Sequence, residues 1–449
     1  MAQLRSDFDG RVVGPDDTGY DSARRVFAGH IDRRPAAIIR VADAADVARV
    51  IRLAGDTGLD LAVRSGGHSG AGHGVVDGGI VLDLSLLKGL DIDADGRTAW
   101  AGTGLTAGEY TAAVGERGLA TGFGDTGSVG IGGITLGGGV GYLSRRYGLT
   151  VDDLLAADVV TADGELLRVD ADNHPDLFWA IRGGGGNFGV ATRFQYRLHE
   201  VGPVVGGMLM LPASADVIRS FMAEAQAGPD ELSTIAAVMS APPMPNVAAE
   251  YHGQIVLMAL MCYVGSPDAG ERALAPFRAL ATPIVDMLRP IAYPEMYPPE
   301  DPDYRPTAAA RTLFVDSVDG DVAELILDRL RASDAPMRVV QLRMLGGAID
   351  RVPVDATAYA HRGRRIMANV AAFFAGPDDQ PAREAWVADV TAELRRGDAA
   401  AYVNFIGDEG HERVRDAYPG STWDRLVSVK DRYDPTNLFR VNQNIPPQA

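Results

Sequence analysis

Three clusters of glycine set the first limit on how this chain folds. Residues 122–141 (GFGDTGSVGIGGITLGGGVG) hold ten glycines in twenty positions, 64–79 (RSGGHSGAGHGVVDGG) seven in sixteen, and 183–189 (GGGGNFG) five in seven. Glycine is entropically costly to order, so such clusters imply backbone at positive φ or backbone lying against something with no side chain between. A flexible linker would be serine-rich with polar borders. These clusters instead border apolar runs, Ile80-Val81-Leu82 after the first and Val190 onward after the last. All three lie before residue 200, so the N-terminal region devotes its loops to a ligand.

The length, 449 residues, suits two or three domains. A formal net charge of −18 with no local basic patch argues against nucleic acid as a partner. The single cysteine, Cys262, excludes an internal disulfide and gives too few soft ligands for a zinc or iron–sulfur site. No apolar run approaches a membrane span, and the first residues (MAQLRSDFDG) lack a secretory pattern. The expectation is a soluble, cytoplasmic protein with no membrane partner, in which a homodimer stays open.

In the first 200 residues, the pattern predicts a helix capped by Asp43, with Val47, Val50, Ile51 and Ala54 on one face. A second helix begins after Thr106 and runs to about Arg117. Short strands at 61–63 and 80–84 flank the first glycine loop. A hairpin joins 156–161 to 165–169, and a short helix at 176–182 precedes the third loop. Beyond about residue 201, strands at 208–211, 235–239, 255–262 and 339–344 alternate with helices near 216–226, 268–281 and 321–332. Four or more strands with helices on one face imply a second α+β domain. The proline-rich stretch from Tyr293 reads equally as a loop over a site or as a surface crossing.

Gly130-Ile131-Gly132-Gly133-Ile134-Thr135 approaches a dinucleotide fingerprint, but its last position is Thr and more glycines follow where a helix should open. No Walker loop and no HExxH occurs. His68 and His73 share one loop without the carboxylate or thiolate neighbours of a metal pair. RSGGHS places backbone N–H groups on both sides of His68, the pattern of an anion-binding nest.

RSGGHSGAGHGVVDGGIVLDLS, VGIGGITLGGGVGYLSRRYGLTVDDL, ADVVTADGE, PDLFWAIRGGGGNFGVAT and the tail VKDRYDPTNLFRVNQNIPP together resemble the berberine-bridge-enzyme-like branch of FAD-linked oxidases, of the vanillyl-alcohol-oxidase (PCMH-type) superfamily. The resemblance implies an α+β fold: a two-subdomain PCMH-type FAD-binding domain with an inserted α+β substrate domain, an antiparallel sheet covered by helices. It divides the chain into 1–200 (FAD domain), 201–400 (substrate domain) and 401–449 (the segment returning to the FAD domain). His68 matches the histidine bonded to the flavin 8α-methyl carbon, and Arg64, Ser65, Gly66, Gly67 and Ser69 match the diphosphate loop. Thr126, in Asp125-Thr126-Gly127-Ser128, stands where doubly tethered relatives have cysteine. The implied cofactor is therefore FAD with a single 8α-histidyl link, which speaks against a doubly linked carbohydrate oxidase. Thr126, Ser128, Gly130, Ile131, Gly132, Gly133, Gly137, Gly138 and Gly141 fall on the flavin side, and Asn187, Phe188, Gly189 and Val190 on the adenosine side. Asn442 and Asn444 match flavin-edge positions of the tail. Ile134 replaces a histidine common in the family.

Tyr402 matches a family tyrosine near the flavin, and Asn404 alternates to the same face. A phenol with an ordinary pKa of ~10 is a poor base at neutral pH unless its surroundings depress that value. On the strand at 339–344, alternation puts Gln341 and Arg343 on one side, where relatives often carry a glutamate or tyrosine. Gln341 cannot take a proton. Arg343 orients an anionic or carbonyl-bearing substrate, or lowers the Tyr402 pKa if close, or is a solvated surface residue. The implied activity is hydride transfer from a small alcohol, amine or polyketide-type substrate to flavin N5, with O2 as electron acceptor. The alternatives are a dehydrogenase with another acceptor and a flavin-containing binding protein.

Overall fold

A computed structural model describes residues 2–397 and 399–448. The chain forms three main sheets. In the first, Val12–Val13 lies antiparallel to Ala37–Arg40, which runs parallel to Ile80–Asp83, itself parallel to Leu61–Arg64. Parallel neighbours need a crossover. The helix Ala44–Thr57 supplies one, with Val47, Val50, Ile51 and Ala54 buried as the periodicity predicts. Asp43 caps it by accepting from the Asp46 N–H, and Gly58 ends it at φ +69°. The second sheet is antiparallel, in the order Leu90–Asp93, Thr98–Gly102, Val190–Arg197, Leu154–Val160, Leu166–Asp170. Its last pair is the expected hairpin. The helix Ala107–Gly115 stops two residues before the expected end and is held by a full capping box between Thr106 and Glu109.

The third sheet has eight strands, all antiparallel, between Val204 and Phe373. Leu232–Ser240 is its middle strand, followed toward one edge by Arg338–Met344 and Ile366–Phe373. One face is dry. Val340, Leu342, Met344, Ala368, Val370 and Ala372 pack there against the helices Ala215–Ala227, Pro267–Arg278, Gly320–Ala332 and Gln380–Leu394. The other face carries Gln341, Arg343 and Asn369 toward the glycine loops. Strands Ala308–Val315 and Ile366–Phe373 and the helix Gln380–Leu394 extend the expected set.

Two local expectations change. A helix, Ile131–Gly137, does open directly after Gly130. Its glycines are tolerated because the helix is packed on both sides: a Cβ at Gly132 would meet Ser65, and one at Gly137 would fall 2.0 Å from Asn404 Oδ1. The proline-rich stretch is no free crossing. It forms a short 3-10 turn, Tyr293–Met296, and buries Tyr293 and Tyr297 against the second glycine segment.

Candidate active site

The three glycine loops meet around one cavity of about 1130 Å³. The first loop leaves the strand Leu61–Arg64. Arg64 donates to the buried Asp83 carboxylate at 2.8 Å, so its charge is already matched, although its Nη1 is buried at the cavity without a partner among the described residues. Ser65 Oγ donates to the Thr103 carbonyl and accepts from the Gly132 N–H, joining the first loop to the second. A Cβ on Gly66 would lie 2.2 Å from the Gly130 nitrogen, so the two backbones touch. The N–H groups of Gly66, Gly67, His68 and Ser69 donate to no acceptor among the described residues. These are the free donors of an anion nest.

His68 stacks on Phe27, ring centroids 4.1 Å apart and planes 18° apart. Burial pushes its pKa down to about 4, only partly opposed by the Glu300 charge and the Ser128 backbone. The ring is therefore neutral near pH 7. His73 is held down to about 4 by burial in the same way, with Ser69 Oγ 3.4 Å from its Nδ1. A histidine lowered on folding makes the unfolded chain take up protons that the native state refuses. Stability is then expected to fall as pH drops from 6.5 toward 4, and to be retained above 6.5. His73→Asn should remove its share of that loss, about 2 kcal/mol at pH 5, in denaturant titrations at pH 7 and pH 5. An unchanged acid loss in the variant would contradict this reading.

The third loop and the tail hold each other. Asn187 Nδ2 donates to the Gly184 and Gln443 carbonyls, and its Oδ1 accepts from the Ile445 N–H. Asn187 lines the cavity, but its amide is spent on the tail. Asn442 Nδ2 donates to the Gly186 and Phe439 carbonyls, while its Oδ1 is buried at the cavity wall without a partner among the described residues.

Tyr402 does not sit on a strand. It precedes the 3-10 turn Val403–Phe405, and Asn404 nevertheless returns to it. The buried Tyr402 hydroxyl accepts from the Gly139 N–H and from Asn404 Nδ2, both at 2.9 Å. Asn404 Nδ2 also donates to the Ile134 carbonyl. Burial holds the Tyr402 pKa above its ordinary value. The bonds from Gly139 and Asn404, with a smaller effect of Arg343, pull the other way without reversing it. The expected lowering by Arg343 is thus outweighed, because a phenolate here has lost most of its water.

Arg343 is no surface residue. It is buried, donates to Gln341 Oε1 at 3.0 Å and to Asp125 Oδ2 at 2.8 Å, and lies over the Phe405 ring. Among the described residues its Nη1 has no partner, nor has Oδ1 of Asn369, which faces Gln341 across the neighbouring strand.

Of the residues singled out in the sequence, the cavity gathers Arg64, Ser65, Gly66, Gly67, His68, Ser69, Thr126, Gly130, Gly132, Gly133, Asn187, Gly189, Val190, Gln341, Arg343, Tyr402, Asn404 and Asn442. Seven stand outside its wall. Ile131 and Phe188 are core residues. Gly137, Gly138 and Gly141 are close-approach positions, the last with a Cβ site 1.7 Å from the Phe123 carbonyl oxygen. Ser128 is turned to Glu300, and the Asn444 Oδ1 is buried without a partner among the described residues. Sequence reasoning missed Phe27, Asp125, Tyr304 and Asn369 as lining residues. Asn369 had a readable signal, a lone amide in the apolar alternation of 366–373. Phe27 had none.

The cavity exceeds the usual small-ligand range of roughly 300–1,000 Å³, room for a dinucleotide and a substrate together. A run of free N–H donors fits a diphosphate. The orphaned Asn442 Oδ1 fits an N–H of a ring system, and the neutral His68 fits a covalent anchor. The residues present therefore fit FAD.

Comparison with known proteins gives the same assignment. The FAD binding domain family matches residues 35–170, and the berberine and berberine-like family matches 401–446. The chain is 30% identical to (R)-6-hydroxynicotine oxidase of Paenarthrobacter nicotinovorans, covering 98% of this chain and 97% of that one. It is 28% identical to xylooligosaccharide oxidase of Thermothelomyces thermophilus, over 97% and 92% of the two chains. The crystal structure of 6-hydroxy-D-nicotine oxidase from Arthrobacter nicotinovorans superposes with a TM-score of 0.86 at 29% identity, covering 97% of this chain and 98% of that one.

Proposed function

Because the chain belongs to the berberine-bridge-enzyme-like family of FAD-linked oxidoreductases, we propose that it is an oxidase whose FAD is tethered once, through His68. Its substrate is a small organic alcohol, amine or polyketide-type molecule, and O2 takes the electrons. Similarity over nearly full length to a hydroxynicotine oxidase favours the amine among these. The observation that carries the reading is His68 itself: a neutral imidazole, stacked on Phe27 at the wall of the cavity, with Thr126 and not a thiol in the facing loop.

FAD, when bound, supplies a two-electron acceptor that O2 can reoxidise. The chain's own groups do the rest. The N–H groups of Gly66 to Ser69 take the diphosphate, and Asn442 Oδ1 accepts from the ring system. Tyr402 keeps its proton at neutral pH. With two hydrogen bonds already donated to its oxygen, its own O–H has no acceptor among the described residues and is left for a ligand in the cavity. Arg343 offers Nη1 to a substrate heteroatom while Asp125 balances its charge. Gln341 buttresses Arg343 and moves no proton.

The test is the visible spectrum of acid-precipitated protein, wild type and His68→Ala. Yellow colour should stay in the wild-type pellet and pass to the supernatant in the variant. Flavin released from both would sink the tether and leave only bound FAD.

A further inference from the structure

Residues 293–302 are the proline-rich stretch, and the chain that follows them reaches the cavity wall at Tyr304 and Pro306. Every polar attachment of the loop facing His68 comes from beyond that loop, most of it from the inserted region. Tyr297 donates its hydroxyl proton to the Gly124 carbonyl at 3.0 Å, and Arg343 holds the Asp125 carboxylate. The Gly127 carbonyl accepts from the Gly108 N–H at 2.9 Å, while Glu300 holds the donors of the Gly127–Ser128 turn. Its Oε1 accepts from the Gly127 N–H at 2.7 Å and the Ser128 N–H at 3.1 Å, and its Oε2 accepts from Ser128 Oγ at 2.5 Å. The fit is close, since a Cβ on Gly127 would lie 3.3 Å from Glu300 Oε1 and 3.4 Å from the Tyr297 side chain. Tyr304, two residues beyond that stretch, packs edge-on against Phe27, the ring on which His68 stacks.

We propose that Glu300 is a positioning residue for attachment of the flavin to His68: by clamping the Gly127–Ser128 turn it fixes the backbone against which the imidazole is oriented. This rests on the tether reading above. Attachment forms one bond between an imidazole nitrogen and the flavin 8α carbon. A methyl C–H and the ring N–H break, and two protons and two electrons leave, converting O2 to hydrogen peroxide. The reaction needs a lone pair aimed at that carbon, so one ring nitrogen must be committed elsewhere.

The Ser128 carbonyl is placed to meet that need: it lies against the His68 loop, 3.2 Å from a Cβ built on Gly66, and the Ser128 backbone acts on His68 in the direction that favours a protonated ring. Glu300 is also the foremost charge acting on the ring in the direction that favours a cation, which an imidazole becomes when its free nitrogen is alkylated. Because Glu300 is exposed, its charge is screened, and the three hydrogen bonds to the turn are its main means of action. Displacing a reacting group by about 1 Å costs on the order of 100-fold in rate.

The full-length chain, produced under riboflavin limitation, is mixed with FAD. Quenching of flavin fluorescence reports binding, and acid-stable visible absorbance reports attachment. Glu300→Ala should bind FAD as the wild type does but attach it roughly 10- to 100-fold more slowly. Glu300→Gln, whose carbonyl still accepts from the turn, should recover most of the rate. A wild-type attachment rate in Glu300→Ala overturns the proposal. So does a parallel loss of binding and attachment, or a failure of Glu300→Gln to recover. Wild type that binds FAD and never becomes acid-stable refutes the tether itself, a separate result.

Discussion

Lys430→Met is expected to destabilise the protein by about 3–5 kcal/mol, the usual cost of removing one partner from a buried ion pair. Lys430 and Asp434 are both fully buried, one turn apart on and just beyond the helix Ser421–Tyr433. The ammonium donates to Asp434 Oδ2 at 2.7 Å, to the Asn187 carbonyl at 2.8 Å and to the Phe439 carbonyl at 3.0 Å, so all three of its protons are used. Methionine has nearly the same length and leaves no large void. What it leaves is a buried carboxylate that has lost its countercharge and an Asn187 carbonyl that has lost its donor. Asp434 keeps the N–H groups of Leu438 and Phe439, so adding Asp434→Asn removes the uncompensated charge while sparing one acceptor oxygen. The double variant should therefore recover part of the loss in denaturant titrations. Because Asn187 anchors the tail at Gln443 and Ile445, Lys430→Met should also lower the fraction of chains that take up FAD. A shift below about 1 kcal/mol would mean that the pair is worth no more than an exposed one.

The i, i+4 spacing of Lys430 and Asp434 is plain in the sequence, but surface pairs share it. Only the tail folding back over the helix separates the two cases. The same limit runs through the molecule. Alternation along 339–344 placed Gln341 and Arg343 on the cavity face, because a strand half-covered by helices must show period two. Thr106 and Asp43 were legible because a cap is a local act of one side chain on a nearby N–H. The glycine clusters announced close backbone approach. They did not tell which glycines face a ligand and which, like Gly137 and Gly141, face Asn404 and Phe123. The helix at Ile131–Gly137 was illegible because its stability comes from packing and not from propensity. The proline-rich stretch was illegible too: its value lies in Glu300 and Tyr297 meeting a turn about 170 residues earlier.

Tyr402→Phe is expected to lower turnover by roughly 100-fold, the low end of what a positioned proton-bearing group contributes, while leaving the flavin tethered. The hydroxyl accepts two hydrogen bonds, from Gly139 and Asn404, and faces the cavity with its own proton. Loss of the oxygen strips a partner from two buried donors but creates no cavity, so the fold should survive with a modest loss of stability. The pH dependence separates donor from base. A group whose pKa is raised above 10 stays protonated throughout the neutral range, so Tyr402 should add no break to the wild-type turnover profile between about pH 6 and 9. The same profile, lowered but unchanged in shape, should appear in Tyr402→Phe. The measurement is steady-state turnover with an amine or alcohol that bleaches the flavin anaerobically. A limb near neutral pH that vanishes in the variant would make Tyr402 the base, with a pKa brought far down by the bound state. Equal turnover in the two proteins would remove it from the chemistry and leave Arg343, with Asp125 behind it, as the group that orients the substrate.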